Sequence, residues 1–371
     1  MKSRPLEGVK VLEALSSECP LAVRMAVGLA GRILADLGAQ VVKTEPHGGD
    51  PIRRLAPMVG ADSALFAFLN AGKHSVFLPE RSPMNMLPGL AAGCDAWLSD
   101  DSVLDLLQPA LAASGARAPR VAVSVSLLGS RVSTPTPASE FTVLASSGIL
   151  NLMGDPNREP LRLGGHQASY AAGLSAFAGL MGGLCGNEDE EIRVSLLETA
   201  IWLNWKNIAS AATGGSSPSR EGRASAWPIV RCADGWVALV YQERDWPALL
   251  RLLNDDPRLA RFGLTTASGR AAHAAEIASV AEQHLGKLSR AEIHAHSLRL
   301  KLPLGPVWSP FELLQDPHLL ARDFFHRCLL NERTEVITPR LPVRWNDESF
   351  KPGPIPLATV RSTPAANVAI P

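Results

Sequence analysis

The chain has 371 residues, of which 46% are hydrophobic and 19% are charged. This composition predicts a folded protein with a buried core and excludes a disordered chain; at about 100–200 residues per domain, the length indicates two domains. Lysine plus arginine and aspartate plus glutamate are equal at 36 each. Net charge therefore gives no reason to expect a nucleic-acid or anionic-membrane partner.

Five cysteines stand singly, at positions 19, 94, 185, 232 and 328. Zinc sites and redox motifs need closely spaced pairs, so free thiols in a reducing compartment are expected. The residues from Met1 lead into a strand-like stretch without an apolar leader, and we expect a cytoplasmic protein. His294 and His296 do not share a helix face, so no metal site is predicted.

Strand and helix patterns alternate through the first part of the chain. The predicted strands are 8–12, 40–43, 74–77, 96–98 and 121–125, and the first predicted helices are 21–37 and 103–111. Such alternation predicts an α/β fold with a parallel sheet, whose ligands bind at the carboxyl ends of the strands. No G-x-G-x-x-G follows the first strand, so a nicotinamide or flavin dinucleotide is not expected.

The stretch from Ala168 to Cys185 has no charge over about the length that spans a bilayer. It is built mainly from Ala, Gly and Ser with scattered larger apolar residues. Because such a composition favours close helix packing over transfer into lipid, we predict an interior helix at 168–183 and no membrane association.

A glycine- and serine-rich segment at 214–219 indicates a linker. We place a large domain at residues 1–215, a small α+β domain at 224–320, and a segment at 321–371 that returns to the large domain. A helix is predicted at 194–212. In the small domain we predict a hairpin at 229–240 that turns at Asp234-Gly235, with helices at 246–253, 270–285 and 290–298.

Seven phrases, spread from one end of the chain to the other, carry a family resemblance. They are 5–12 (PLEGVKVL), 35–46 (ADLGAQVVKTEP), 49–53 (GDPIR), 68–76 (FLNAGKHSV), 194–198 (VSLLE), 234–237 (DGWV) and 305–307 (GPV). In order and spacing the sequence resembles the class III CoA-transferases, the CaiB/BaiF family. The resemblance implies a Rossmann-like large domain, a small domain, an interlocked dimer, and coenzyme A or an acyl-CoA as substrate.

In these transferases an aspartate attacks the acyl thioester, which gives a mixed anhydride and free CoA. The resemblance places Ser169, in the segment 168–174, at the position of that aspartate. A carboxylate is already anionic at neutral pH, whereas a serine hydroxyl needs a partner base before it is nucleophilic. An acyl-serine ester is also less activated than a thioester. Transfer by the family's route is therefore expected to fail.

Two further residues are candidate catalytic groups. The related α-methylacyl-CoA racemases use a histidine and an acidic residue earlier in the chain, and the resemblance places Ser139 and Glu140 there. Glu140 remains able to accept or position a proton, or else pairs with an arginine as a structural residue. His166 is three residues from Ser169; it either activates that serine or lies in a loop without a catalytic role.

Four basic residues are candidate partners for the phosphates of CoA: Arg53, Lys73, Arg120 and Arg131. The arginine-bearing turn that the family has after the strand at 96–98 is replaced by 99–102 (SDDS), whose two carboxylates would repel a phosphate.

The sequence therefore predicts a CoA-transferase-like protein that acts on or binds acyl-CoA thioesters without the usual aspartate. The alternatives are a non-catalytic subunit of a heterodimeric transferase and a family member repurposed to non-standard chemistry. Expected partners are an acyl-CoA or a carboxylic acid, and a second chain, either identical in a homodimer or a related catalytic chain in a heterodimer.

Overall fold

The computed structural model describes residues 4–80, 83–115, 117–129, 138–155, 157–214, 227–260, 264–331 and 334–356. The chain divides into two compact units. The first comprises residues 1–220 and 322–371, and the second residues 221–321.

The first unit is built on a parallel sheet. Its strands up to residue 214 are β1 (Lys10–Ala14), β2 (Gln40–Glu45), β3 (Met58–Val59), β4 (Asp62–Ser63), β5 (His74–Phe77), β6 (Ala96–Asp100), β7 (Val121–Ser126) and β8 (Glu190–Ser195). Six of them form one sheet in the order β5-β2-β1-β6-β7-β8, with every neighbouring pair parallel. The predicted α/β class with a parallel sheet is confirmed.

Helices cover both faces of this sheet. They are α1 (Leu21–Asp36), α2 (Ala64–Asn70), α3 (Leu87–Ala91), α4 (Asp101–Ser114), α5 (Glu140–Ser146), α6 (Gln167–Cys185), α7 (Leu196–Leu203) and α8 (Trp205–Ala212). Alternate strand residues enter different cores, because successive side chains of a strand point to opposite faces. Val11 and Leu98 pack in the core of α1 and α6, whereas Leu12 and Trp97 pack in the core of α3 and α4.

The predicted helix at 194–212 is wrong in two respects. Residues up to Ser195 belong to β8, and the helical part is divided into α7 and α8 at Asn204. The strand β8 reads EEIRVS and is largely exposed at the edge of the sheet. Because charged residues alternate with apolar ones in β8, its sequence lacks the continuous apolar run that identifies the inner strands.

Among the described residues, α6 is the helix long and apolar enough to cross a membrane by length and composition. It packs closely on α1, since a Cβ added at Gly173 would lie 2.5 Å from the Ala26 carbonyl oxygen. At its other end a Cβ at Gly183 would lie 2.8 Å from Val121 of β7. These contacts support the expectation of an interior helix.

The second unit has a small antiparallel sheet and short helices. Its elements are β9 (Ile229–Cys232), β10 (Gly235–Ala238), α9 (Trp246–Leu252), α10 (Ala267–Ala272), α11 (Ala274–Leu285), α12 (Arg290–Leu300), β11 (Gly305–Pro306), α13 (Pro310–Leu313) and α14 (Pro317–Ala321). The predicted hairpin is confirmed as β9 and β10. The helix predicted at 270–285 is divided at His273 into α10 and α11.

After the second unit, the chain forms an antiparallel hairpin, β12 (Phe325–Leu329) and β13 (Glu335–Pro339), within the first unit. Cys328 and Val336 of this hairpin pack in one core with Met25 and Phe66. The C-terminal part of the chain thus contributes to the core of the first unit.

Candidate functional site

Parallel sheet connections fix the location of the amino terminus of α6. Because α6 joins β7 to the parallel strand β8, it runs antiparallel to both strands, and its first turn lies at their carboxyl edge. The amino terminus of α5 lies at the same edge, because its first residue is hydrogen-bonded to Ser169 of α6. Ser139 caps α5 by accepting a hydrogen bond from the Thr142 amide at 3.3 Å. Glu140 is the first residue of α5.

The three candidate catalytic residues meet at this edge. One carboxylate oxygen of Glu140, Oε1, accepts a hydrogen bond from the backbone amide of Ser169 at 3.0 Å. The other, Oε2, lies 2.9 Å from Nδ1 of His166 and 4.0 Å from the Arg162 guanidinium. Glu140 therefore accepts a hydrogen bond from one of the backbone amides at the start of α6 that have no partner within the helix. The N-cap residue His166 provides no side-chain cap there.

Ser169 is fully buried, and its hydroxyl has no hydrogen-bond partner among the residues that the structure describes. The Glu140 carboxylate contacts the main chain of Ser169 rather than its hydroxyl, and Nδ1 of His166 faces the same carboxylate. Neither base is hydrogen-bonded to the serine oxygen. A nucleophile and its base normally lie within about 2.6–3.2 Å of each other, so this arrangement does not activate the hydroxyl.

The aromatic side chain of Tyr170 lies beside the site, between Phe68 and His166. Tyr170 follows Ser169, and its ring makes edge contacts with Phe68 and His166, each with centroids 6.2 Å apart. Burial, together with the nearby Glu140 carboxylate, raises the pKa of the Tyr170 phenol. Neither Tyr170 nor Arg162 belongs to a motif in the sequence; their only signal there is that Tyr170 follows Ser169 and that Arg162 precedes His166 by four residues.

Lys73 lies in a buried ion cluster. Its ammonium contacts Glu13 Oε2 at 2.6 Å, the Gly28 carbonyl oxygen at 2.8 Å and the Asn70 side-chain oxygen at 3.0 Å. Lys43 contacts the other oxygen of Glu13 at 2.9 Å and also Asp50 at 2.7 Å. All three donor positions of Lys73 are occupied, so this placement does not support the predicted contact with a CoA phosphate.

The two lysines of this cluster differ in their electrostatics. Burial lowers the pKa of Lys73 to about 8, because the Glu13 carboxylate and the more weakly acting Asp50 do not offset the loss of water and the nearby charge of Lys43. Lys43 meets two carboxylates, and their attraction exceeds the effect of burial, so its pKa is raised. Burial alone would raise the pKa of Glu13, but the two ammonium groups hold it below its ordinary value.

Arg53 and Arg120 are also engaged within the first unit. Arg53 makes two hydrogen bonds of 2.7 Å to Glu45 and lies 3.7 Å from the centre of the Phe66 ring. Arg120 precedes β7 and donates to the Gly186 carbonyl oxygen at 2.5 Å, just beyond the carboxyl end of α6. That is the opposite end of a 19-residue helix from Ser169. Its position does not support a phosphate contact at this site, and Arg131 lies outside the described residues.

The two acidic residues at the junction of β6 and α4, Asp100 and Asp101, are hydrogen-bonded within the protein. Asp100 caps α4 by accepting the Val103 amide at 3.1 Å, and it also accepts hydrogen bonds from the amide and hydroxyl of Ser16. Asp101 accepts the Ser124 hydroxyl at 2.5 Å. A carboxylate of the chain itself thus occupies the helix start at which a phosphate would find free amides.

The sequence matches the description CoA-transferase family III over residues 6–357. The chain belongs to this family. The assignment agrees with the resemblance carried by the sequence motifs, and it makes acyl-CoA the class of substrate on which the family acts.

Curated relatives and solved structures agree with this membership. The chain is 25% identical to a succinate–glutarate CoA-transferase of Agrobacterium fabrum, over 94% of this chain and 93% of the relative. It is 27% identical to the BbsE subunit of the succinyl-CoA:(R)-benzylsuccinate CoA-transferase of Thauera aromatica, over 79% and 78%. The crystal structure of a CAIB/BAIF family protein from Brucella suis has the same fold, with a TM-score of 0.80, 22% identity and 96% of each chain covered.

Proposed function

We propose that this chain binds acyl-CoA thioesters at the carboxyl edge of its parallel sheet, and that residue 169 does not accept the acyl group. The observation that carries the proposal is the Ser169 hydroxyl, which is buried and is hydrogen-bonded to neither Glu140 nor His166. Family membership supports the thioester substrate.

Chemistry gives a second reason to exclude acyl transfer to Ser169. An alcohol oxygen becomes a strong nucleophile only when a base removes its proton. An ester at Ser169 would also hold the acyl group more firmly than a thioester does, so reversible exchange would stop there. A carboxylate in the same position would form an activated anhydride instead.

Binding is tested by measuring the melting temperature of the purified chain with CoA, acetyl-CoA and succinyl-CoA. At 100 times its dissociation constant, a ligand adds about 2.7 kcal/mol to the free energy of unfolding. A rise with an acyl-CoA is the expected result. If none of the three changes the melting temperature, the proposed acyl-CoA binding is wrong for these substrates.

The role of residue 169 is tested with Ser169→Asp, which restores a carboxylate to the helix. We expect the variant to gain weak CoA transfer from succinyl-CoA to glutarate, the pair of acids in the name of the Agrobacterium relative. Ser175→Asp is the matched control, because Ser175 is exposed on the same helix. An acyl group found on Ser169 of the wild-type chain would contradict the proposal.

A second candidate function is that of a subunit in a two-chain transferase. The apolar face of α7 and α8 favours it, since Trp202 and Trp205 are 73% and 58% exposed. Large exposed apolar side chains at one surface are typical of protein interfaces. Co-expression with a related chain that carries the aspartate would test this function; a stable one-to-one complex is expected, and Trp202→Glu should weaken it.

A further inference from the structure

The Glu140 carboxylate occupies the neighbourhood in which a carboxylate at residue 169 would act. We propose that Glu140 is the acyl acceptor of this chain and that it forms a glutamyl mixed anhydride with the acyl group of the thioester. The inference rests on the acyl-CoA binding proposed above, and it adds the group that reacts.

Position is the first reason. Glu140 Oε1 lies 3.0 Å from the backbone nitrogen of Ser169. The carboxyl group of an aspartate is separated from its own Cα by a single methylene, so an aspartate at 169 would place its oxygens within a few ångströms of the same point. The longer side chain of Glu140 brings a carboxylate there from another helix, α5.

Orientation is the second reason. The carboxylate is held from both sides, by the Ser169 amide on Oε1 and by His166 on Oε2. Each carboxylate oxygen has two lone pairs, so one hydrogen bond on each leaves a lone pair that can attack a carbonyl carbon. Holding a nucleophile in one geometry before the reaction lowers the entropic part of the barrier.

The third reason concerns the side chains around Oε2, which are partly exposed to solvent and include a positively charged arginine. The Glu140 side chain is only 6% exposed, but its neighbours on the Oε2 side, His166 and Arg162, are 29% and 49% exposed. Oε2 is therefore on the solvent-facing side of the carboxylate, and we take this as the side from which a thioester approaches. The Arg162 guanidinium, 4.0 Å from Oε2, is a positive charge beside the attacking oxygen that would stabilise the negative charge developing on a thioester oxygen bound there.

The Ser169 hydroxyl, which has no hydrogen-bond partner among the residues that the structure describes, is a further sign of a missing ligand atom. A buried hydroxyl without a partner costs about 1–3 kcal/mol, and such groups in folded proteins normally have one. This hydroxyl belongs to the residue whose amide binds Glu140. An acyl oxygen bound beside Glu140 would provide an acceptor that none of the described residues provides.

The reaction step balances without a further reagent. A Glu140 oxygen attacks the thioester carbonyl carbon, the new carbon–oxygen bond forms, and the carbon–sulfur bond breaks. The electron pair of that bond leaves with CoA as the thiolate, and the acyl group remains on Glu140 as an anhydride. The CoA thiolate attacks the glutamyl carbonyl carbon of the anhydride, which releases the acyl group as its carboxylate and leaves CoA on Glu140 as a thioester. An incoming carboxylate attacks this thioester and releases the thiolate again, forming a new anhydride. The thiolate then attacks the acyl carbon of the new anhydride, which gives the product thioester and frees the Glu140 carboxylate. Carboxylate side chains act as covalent nucleophiles in other enzymes.

The test uses the full chain and whichever of acetyl-CoA and succinyl-CoA raises its melting temperature. After brief mixing, hydroxylamine converts any protein anhydride to a hydroxamate, and tandem mass spectrometry locates the modified residue. We expect the hydroxamate on Glu140, with release of CoA thiol in proportion to the hydroxamate formed when no acceptor is present.

Three variants accompany the wild-type chain. Glu140→Gln keeps the size of the side chain and removes the nucleophile, so labelling should fall at least about a hundredfold. Glu140→Asp retains a carboxylate and should retain measurable labelling at residue 140. Glu159→Gln is the matched control, because Glu159 is an exposed glutamate with a 73% exposed side chain, and it should label like the wild type.

The outcomes separate this inference from the proposed function. If an acyl-CoA binds but releases no CoA and leaves no hydroxamate, Glu140 is not the acceptor, whereas acyl-CoA binding stands. An acyl ester on Ser169, found before hydroxylamine is added, overturns both proposals about the acceptor. Loss of labelling in Glu159→Gln to the same degree as in Glu140→Gln would also overturn the role of Glu140.

Discussion

The backbone amide of Ser169 donates to Oε1 of Glu140 across 3.0 Å, although the two residues are 29 positions apart in the sequence. This hydrogen bond joins the first turn of α6 to the first turn of α5. It leaves the Ser169 side chain buried and without a partner in the described part of the chain. The acidic group at this edge of the sheet is therefore supplied by α5.

Ser169→Ala should leave the free energy of unfolding unchanged or raise it by up to about 1 kcal/mol, because it removes a buried hydroxyl that has no partner among the described residues. Ser124→Ala is the matched control. Ser124 is equally buried, but its hydroxyl donates to Asp101 at 2.5 Å, so we expect a loss of about 1 kcal/mol. Urea denaturation measures both. A loss in Ser169→Ala equal to that in Ser124→Ala would show that the Ser169 hydroxyl is bonded.

Gly173→Ala should destabilise the chain by about 1–3 kcal/mol, since the added methyl group would overpack the contact between α6 and α1. Its Cβ would lie 2.5 Å from the Ala26 carbonyl oxygen. Gly182→Ala, in the same helix, has nothing within 4 Å of the added carbon and should stabilise by roughly 0.5–1 kcal/mol through helix propensity. Thermal unfolding of the two variants should therefore shift in opposite directions, and shifts of the same sign would contradict the packing of α6.

Lys73→Met should lower the free energy of unfolding by about 3 kcal/mol at neutral pH, because it removes one partner from a buried ion pair. Arg327→Met is the control: its pair with Glu335 is exposed and 3.5 Å long, and its loss should matter by less than about 1 kcal/mol. Similar losses in the two variants would exclude a buried cluster around Lys73.

The Lys73 pKa also predicts a pH dependence. It is lowered from 10.5 to about 8 in the folded chain by burial, so between these values the unfolded chain binds more protons than the folded one. Folding stability contributed by this group therefore rises as the pH increases from about 8 to about 10. Urea denaturation of wild type and Lys73→Met across this range should show a growing difference; a difference that shrinks would contradict the lowered pKa.

Thiol labelling of the native chain should modify Cys185 alone among the five cysteines. Cys185 is exposed and the other four thiols are buried. Burial, followed by the nearby Asp95, raises the pKa of Cys94 to about 11, which further suppresses its thiolate. The measurement is titration with a chromogenic disulfide before and after denaturation, with Cys185→Ser as control. Rapid native labelling that persists in Cys185→Ser would refute the assignment.

Local sequence patterns were sufficient to predict most strands of the parallel sheet. The strands β1, β2, β5, β6 and β7 follow apolar runs, and α1 ends at Asp36, one residue before the end predicted for the helix at 21–37. The strand β8 was missed because its alternation of charged and apolar residues is too short to distinguish a strand from the start of a helix. The breaks at Asn204 and His273 likewise have no proline or glycine signal in the sequence.

By itself, the sequence determined the family and the parallel α/β fold, since these depend on residue identity, order and spacing. Only the tertiary structure decided which groups each charged side chain contacts within the protein. It placed Lys73 inside an ion cluster, Arg120 at the far end of α6, and Glu140 against the Ser169 amide. The physical reason is that the partner of a buried charge is chosen by distance in space, and residues 29 or 60 positions apart become neighbours only after the sheet and its helices have packed.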